Sequence, residues 1–267
     1  FMSLEASRVH SWEGNRLRLH KGKDLVLSEE FDRIFVAAGC IGSTEIAMRS
    51  LGINSGPTME DNAVFSFPIF YTGKGATDQA SEYFSLCNLA LGGSPHDSKE
   101  AFAQFSVYPF FDHLWRYYAP RGLWGMGKHF GKQARWRLLL GRVFLAGSAN
   151  RKFKFEIHND EFRVLPGEVP DDQHLIDGVM RALRGKLKGS PFFVPAVRPP
   201  SHATSSHYAC SFPYGDGPHA KVAASGMIEG CVYLADASTF STLPSISPTF
   251  TIMANAARTA HASLGDD

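Results

Sequence analysis

The chain has 267 residues, a formal net charge of +1 and 44% hydrophobic residues. That length fits one large domain or two ordinary ones, and the apolar share excludes wholesale disorder. Near-neutral charge argues against nucleic acid as the main partner. No apolar run approaches the roughly 18 residues of a membrane span, and no basic-then-apolar leader opens the sequence.

These absences favour a cytoplasmic setting, while a first residue other than Met raises the expectation of an excised or processed piece. The cysteines Cys40, Cys87, Cys210 and Cys231 form no CxxC pair and are too sparse for a disulfide framework. They read as free thiols in or near the core.

In chain order, Arg8–Trp12 and Arg16–His20 flank Glu13-Gly14-Asn15, and Leu25-Val26-Leu27 follows, which predicts a β-meander. Ile34-Phe35-Val36-Ala37-Ala38 is continuously apolar, as a parallel strand buried on both faces requires. A helix is expected next, with Ser43 as N-cap, Glu45 in its first turn, Ile46, Ala47 and Leu51 on one face, and Gly52 at its end.

From Ala63 to about Leu165, short runs separated by Gly, Pro and Asp (Val64–Tyr71, Tyr83–Leu91, Ala101–Tyr108, Arg142–Leu145, Lys152–Ile157) predict an antiparallel sheet. Among them, Arg116–Arg142 carries seven Lys/Arg, no acid and several aromatics. It reads as a solvated face or a lid over a pocket, ahead of a membrane-surface segment.

Leu175, Ile176, Val179, Met180, Leu183 and Leu187 recur at helical spacing, with Asp171 and Asp172 before them and Lys186 and Lys188 after. A Pro-rich connector (Pro191, Pro195, Pro199, Pro200) follows. The tail predicts a strand at Cys231–Ala235 and an Ala-rich helix from about Thr249 to Leu264.

The tail also carries motifs: His207-Tyr208-Ala209-Cys210, then Val232-Tyr233-Leu234-Ala235-Asp236-Ala237-Ser238, then Ser247-Pro248-Thr249. This run resembles the C-terminal signature of the glucose–methanol–choline (GMC) family of FAD-dependent oxidoreductases. There a His in an H-x-G-T-like turn precedes a V-x-D-A-S strand end and an N-P-T or H-P-T step opening the last helix. Val36-Ala37-Ala38-Gly39 with Gly42-Ser43 is similar to that family's late FAD-domain strand and turn.

The resemblance implies an α/β fold in two interleaved parts. Residues 1–62 and 201–267 would be C-terminal parts of an FAD-binding domain with a parallel strand, a β-meander and helices. Residues 63–200 would be an antiparallel-sheet α+β substrate domain. It further implies FAD contacts at Ala38, Gly39, Ser43, Asp236, Ala237, Pro248, Thr249 and Phe250.

A helix N-terminus at Ser247–Phe250 would stabilise negative charge on a reduced flavin. His207 would accept the proton of a substrate hydroxyl while the hydride leaves. Two features depart from the family pattern. Ser247 stands where a second His or Asn is usual, so His207 carries the base role alone or with His202, and Tyr208-Ala209-Cys210 replaces a Gly-Thr step. Ser247 reads equally as a plain helix cap, and Asp236 as an ordinary turn-former.

No G-x-G-x-x-G follows a strand anywhere in the chain, so the segment that would hold the FAD pyrophosphate is expected upstream or on another chain. The expected activity is oxidation of a CH–OH group, on a sugar or polyol by family habit. The rival is a non-catalytic binding or assembly module that keeps the fold. His202, His207, Cys210 and His219 match no metal-ligand spacing, so no metal is expected.

Overall fold

The computed structural model describes residues 7–74, 89–93, 103–109, 121, 137–145, 150–168, 173–195 and 203–265. Most of 116–142, together with Cys87, Asp171, Asp172 and His202, lies outside the described residues. The fold mixes helices with mostly antiparallel sheet. It divides into two compact units. Unit one comprises Phe1–Asp61, Arg151–Val169 and Ser206–Asp267, and unit two comprises Asn62–Asn150 and Pro170–Ser205. Residues 151–169 thus group with the two ends of the chain rather than with 63–200.

Unit one opens with the expected meander: β1 (Ser7–Glu13), β2 (Arg16–Lys21) and β3 (Asp24–Leu27), paired antiparallel in that order. β4 (Ile34–Val36) then leads into helix α1 (Gly39–Leu51), which ends at Gly52 in the left-handed conformation that a residue without Cβ adopts freely. The helix begins five residues earlier than expected. Its N-cap is Ala38, Ser43 lies inside it, and its first turn holds no acid. Glu45 instead pairs with Arg8 at 2.6 Å and with Arg49 at 3.2 Å.

Strand β5 (Ser55–Tyr71) begins well before the expected Val64, and its first stretch pairs antiparallel with β9 (Arg151–His158). β9 turns at Asn159 and Asp160, both at positive φ, into β10 (Glu161–Pro166), a strand not anticipated from the sequence. At the far end of the chain, β15 (Met227–Glu229) pairs with β16 (Val232–Leu234), and β16 pairs parallel with β4 in the register Val232↔Ile34 to Leu234↔Val36. Helix α3 (Thr249–Ser263) packs on β16. Met48, Phe155, Phe212 and Leu234 are fully buried in this unit's main core, where deleting any one of these side chains costs roughly 2–5 kcal/mol.

In unit two, the later stretch of β5 pairs with β8 (Leu138–Leu145), β8 with β7 (Ala103–Pro109) and β7 with β6 (Leu89–Gly93). Helix α2 (Gln173–Leu187) lays Ile176 and Met180, with Leu175, Val179, Leu183 and Leu187 around them, onto this sheet's core, which is the face its spacing predicts. The two-residue β11 (Phe192–Phe193), within the Pro-rich connector, pairs with Phe70 and Tyr71 of β5. Two short elements remain in unit one beside β12 (Ala203–Ala209), which runs into it: β13 (Gly215–Asp216) and β14 (Lys221–Val222).

Candidate functional site

The parallel pair β4–β16 sets the site. Val36 lies beside Leu234, so the two strands release their chains side by side, and Ala235 N–H donates to Val36 O at 3.0 Å. Crevices that hold ligands in parallel α/β sheets form outside such carboxyl ends. One exit is Ala38-Gly39, with Gly39 at φ +76° and nothing within 4 Å of where a Cβ would stand. The other is Asp236-Ala237, opening a 3-10 turn (Ala237–Thr239) for which Asp236 is the cap.

Ser43 locks the two exits together. Its Oγ accepts from Ala38 N–H at 3.0 Å and donates to Asp236 Oδ2 at 2.5 Å, while Asp236 Oδ1 accepts from Ser238 N–H at 2.9 Å. The structure therefore brings Ala38, Gly39, Ser43, Asp236 and Ala237 into one cluster. It gives Ser43 the work of a brace in place of the expected N-cap.

The stretch after β12 adds the next layer. Cys210, Phe212 and Tyr214 donate their backbone N–H groups to Ala237, Ser238 and Thr239. Thr44 Oγ1 donates to Ser211 Oγ at 2.6 Å, tying α1 to the same stretch. His207 lies within β12 rather than in a turn, half-buried, with Nδ1 shielded from solvent. Ser206 and Cys210, on either side of it, both hold positive φ (+63° and +74°). Two non-glycine residues in that region within five positions mark stored backbone strain, which clusters at functional sites.

The third group is the start of α3. Its N-cap is Pro248, no side chain caps its first turn, and that turn holds no acid. Ser247 stands one position before the cap, exposed, with its Oγ 3.5 Å from Thr249 Oγ1, so the plain-cap reading of Ser247 does not hold. Thr249 and Phe250 are exposed and Pro248 is buried.

A small core of Ala209, Ala237, Phe240 and Leu243, with Cys210 and Ile252 against it, joins the His207 strand end, the Asp236 turn and the first turns of α3. Asn255 fastens the helix. It accepts from Tyr214 Oη at 2.8 Å and from Arg258, and donates to Thr239 Oγ1 at 3.1 Å. The Arg258 guanidinium lies 4.7 Å above the Tyr214 ring. Sequence reading missed Asn255, Thr44 and Ser211, because nothing about an Asn inside an Ala-rich helix signals which side is buried.

A separate pocket of about 290 Å³ in unit one is lined by residues that include Gly56, Thr58, Cys210, Phe212, Pro213 and His219. None of His207, Ser247 or Thr249 lines it. Burial pushes the Cys210 thiol well above its ordinary range, and the Glu60 charge adds to this. Burial likewise raises Cys40 to about 11. Burial of this kind disfavours the thiolate at both positions. Among the described residues, no three His, Cys, Asp or Glu side chains gather as metal ligands, and no helix is long and apolar enough to cross a membrane.

No known protein-family profile matches the chain, and no curated protein matches it in sequence. Solved structures do match its fold. A pyridoxine 4-oxidase from Mesorbium loti aligns with 97% of this chain at a TM-score of 0.59 and 15% identity. An FAD-dependent oxidoreductase from Chaetomium thermophilum, solved with a bound fragment, aligns with 97% at a TM-score of 0.61 and 12% identity. The chain has the fold of these two proteins. It spans 56% and 61% of their respective lengths.

Proposed function

We propose that the chain is the C-terminal part of a GMC-type FAD-dependent oxidoreductase that oxidises a CH–OH group, with a sugar or polyol as the favoured substrate class. One observation carries this reading. The side-by-side exits of β4 and β16, the uncapped start of α3 and the His207 strand end are fastened into one cluster by Ser43, Asp236 and a shared apolar core. The name of one fold neighbour, an FAD-dependent oxidoreductase, supports FAD as the cofactor.

The residues fit such a group. An uncapped first turn without acid directs unengaged N–H groups and a positive partial charge outward. Gly39 lets a flat molecule approach the backbone without meeting a side chain. In this reading the backbone at Ala38, Gly39, Ala237, Thr249 and Phe250 holds FAD, with Pro248 fixing the turn. Asp236 contributes position, since both its carboxylate oxygens are engaged by Ser43 and Ser238. FAD, when bound, supplies a two-electron acceptor.

The protein supplies the proton chemistry. With Nδ1 shielded, His207 receives the hydroxyl proton at Nε2, and a neutral imidazole suits that work near pH 7. The Ser247 hydroxyl orients the substrate and carries no base role, because a lone serine does not accept a proton near neutral pH. A nucleotide-binding stretch outside these residues completes the FAD site.

The test is anaerobic flavin bleaching by a panel of sugars, polyols and pyridoxine, comparing the full-length protein with His207→Ala. Removing a general base lowers the reduction rate by about 10²–10⁴-fold. An undiminished rate removes His207 from the mechanism, and no bleaching by any alcohol favours the non-catalytic module.

A further inference from the structure

One end of the unit-two sheet gathers aromatic rings and cations. There β5 finishes at Tyr71, β7 finishes at Pro109 and β8 starts at Leu138, while β11 lays Phe192 beside Tyr71 and Phe193 beside Phe70. Residues paired across an antiparallel ladder share a face, so the two phenylalanines stand on opposite faces of the sheet end. Phe193 is 56% exposed and Phe192 37%. The Phe192 ring leans on Tyr71, with centroids 5.3 Å apart.

The backbone that presents these rings is fixed at several points. Thr72 donates to Pro191 O through both its N–H (2.7 Å) and its Oγ1 (2.9 Å). Ser190 Oγ donates to Leu187 O at 2.7 Å and accepts from Phe192 N–H at 3.2 Å. Beyond the pair, Val194 is buried in the sheet core, and Arg184 donates to Pro195 O at 3.0 Å. Two phenylalanines held toward water by a fixed backbone are stabilised by any apolar surface that covers them.

The charge at this end is of one sign. Residues 69–74, 107–109, 137–140 and 181–195 carry Lys74, Arg137, Arg181, Arg184, Lys186 and Lys188 and no Asp or Glu, in a chain whose net charge is only +1. Lys74, Arg137, Lys186 and Lys188 are exposed. Between the end of α2 and β11 runs a groove of about 640 Å³, lined by residues that include Thr72, Leu187, Lys188, Phe192, Phe193 and Val194. Aliphatic and aromatic surface there meets a primary amine.

This charge decides what covers the rings. The core of a protein–protein contact is depleted in lysine, whereas three of the four exposed cations here are lysines. Phenylalanine surrounded by Lys and Arg suits the headgroup layer of an anionic bilayer, where rings enter the acyl boundary and cations meet lipid phosphates.

We infer that this end of unit two docks on the surface of an anionic lipid bilayer. Phe192 and Phe193 enter the headgroup–acyl boundary, and Lys74, Arg137, Lys186 and Lys188 face the lipid phosphates. The contact is peripheral, since among the described residues no helix is long and apolar enough to cross a membrane. It needs no flavin and stands apart from the oxidoreductase proposal.

The test is co-sedimentation of the whole chain with vesicles of equal parts phosphatidylserine and phosphatidylcholine, set against vesicles of phosphatidylcholine alone. Retention on the anionic vesicles at low salt is expected. It falls about tenfold or more as salt rises to about 1 M, where the Debye length shrinks to about 3 Å. Phe193→Asp and the double variant Lys186→Glu/Lys188→Glu each lower the partition coefficient about tenfold. The double variant alters only exposed side chains, so it reports even where Phe193→Asp unfolds unit two. Leu27→Asp, at an apolar site of unit one that is 49% exposed, leaves partition unchanged. Four results overturn the inference: equal retention on both kinds of vesicle, retention on neither, release by inorganic phosphate at matched ionic strength, or a self-dimer abolished by Phe193→Asp. The last two would make the groove a site for a free anion or a contact between copies of this chain.

Discussion

Replacing Asp236 by Ala tests whether the brace between the two strand exits is structural. The carboxylate is 5% exposed and accepts two hydrogen bonds, from Ser43 Oγ at 2.5 Å and from Ser238 N–H at 2.9 Å. Hydrogen bonds to a charged group contribute about 1.5–3 kcal/mol each, and removing the acceptor leaves buried donors unsatisfied. Relief from burying a charge offsets part of this, which leaves a net loss of about 3 kcal/mol. Ser43→Ala orphans Ala38 N–H and one carboxylate oxygen, for about 2 kcal/mol. In the double variant the shared bond is lost only once, so the coupling is about 1–2 kcal/mol. Chemical denaturation read through amide exchange in α1 and β16 isolates unit one from unit two. A loss below about 1 kcal/mol for Asp236→Ala, or additive single variants, would refute the brace.

Gly56 holds φ +127°, and a Cβ there would stand 2.2 Å from the His219 ring. Gly56→Ala should therefore cost roughly 2–4 kcal/mol, about 5–10 °C in melting temperature, and His219→Ala should restore part of that loss. His10 packs edge-on against His20 with centroids 5.1 Å apart, and its pKa lies below the ordinary 6.5, first through burial, then through the Arg49 charge. The unfolded chain therefore takes up that proton first on acidification. The contribution to stability is complete above about pH 6.5 and is lost as pH falls through the lowered value, and His10→Asn should flatten the stability profile across that window. With Cys40 at about 11, roughly one molecule in a thousand is thiolate at pH 8. Alkylation at that pH should leave Cys40 and Cys210 unmodified in the native chain and label both in urea, as peptide mass spectrometry would show.

The elements that proved legible in the sequence are those whose pattern is local. The meander followed from alternation around Gly14, and the buried face of α2 followed from Leu175 to Leu187 at helical spacing. The parallel strand followed from Ile34 to Val36 lacking any polar break. Boundaries set by distant contacts did not show. The strand was expected only from Val64, yet β5 starts at Ser55 and runs through Gly56, Pro57, Asp61 and Asn62 because β9 pairs with its first stretch. Ser43 looks like a cap, but its partner is Asp236, nearly 200 residues away, so the helix starts at Gly39 instead. At the site, Ala38, Gly39, Asp236 and Ala237 were singled out only through the resemblance of their motifs to a known family, whereas the close approach of His219 to Gly56 and the Asn255 network depend on how separate stretches meet. Helix α3 was legible as an Ala-rich helix from about Thr249, but not which of its faces is buried, since a helical wheel shows that two faces differ and not which one is covered.

The β4–β16 pairing has a consequence for biosynthesis. Residues that must lie side by side leave the ribosome about 200 positions apart, a delay of roughly 10–40 s at ordinary translation speed. Through that interval Ile34 and Val36 lack the β16 strand that pairs with them in the finished fold, which leaves both apolar residues exposed to pairing with the wrong neighbour.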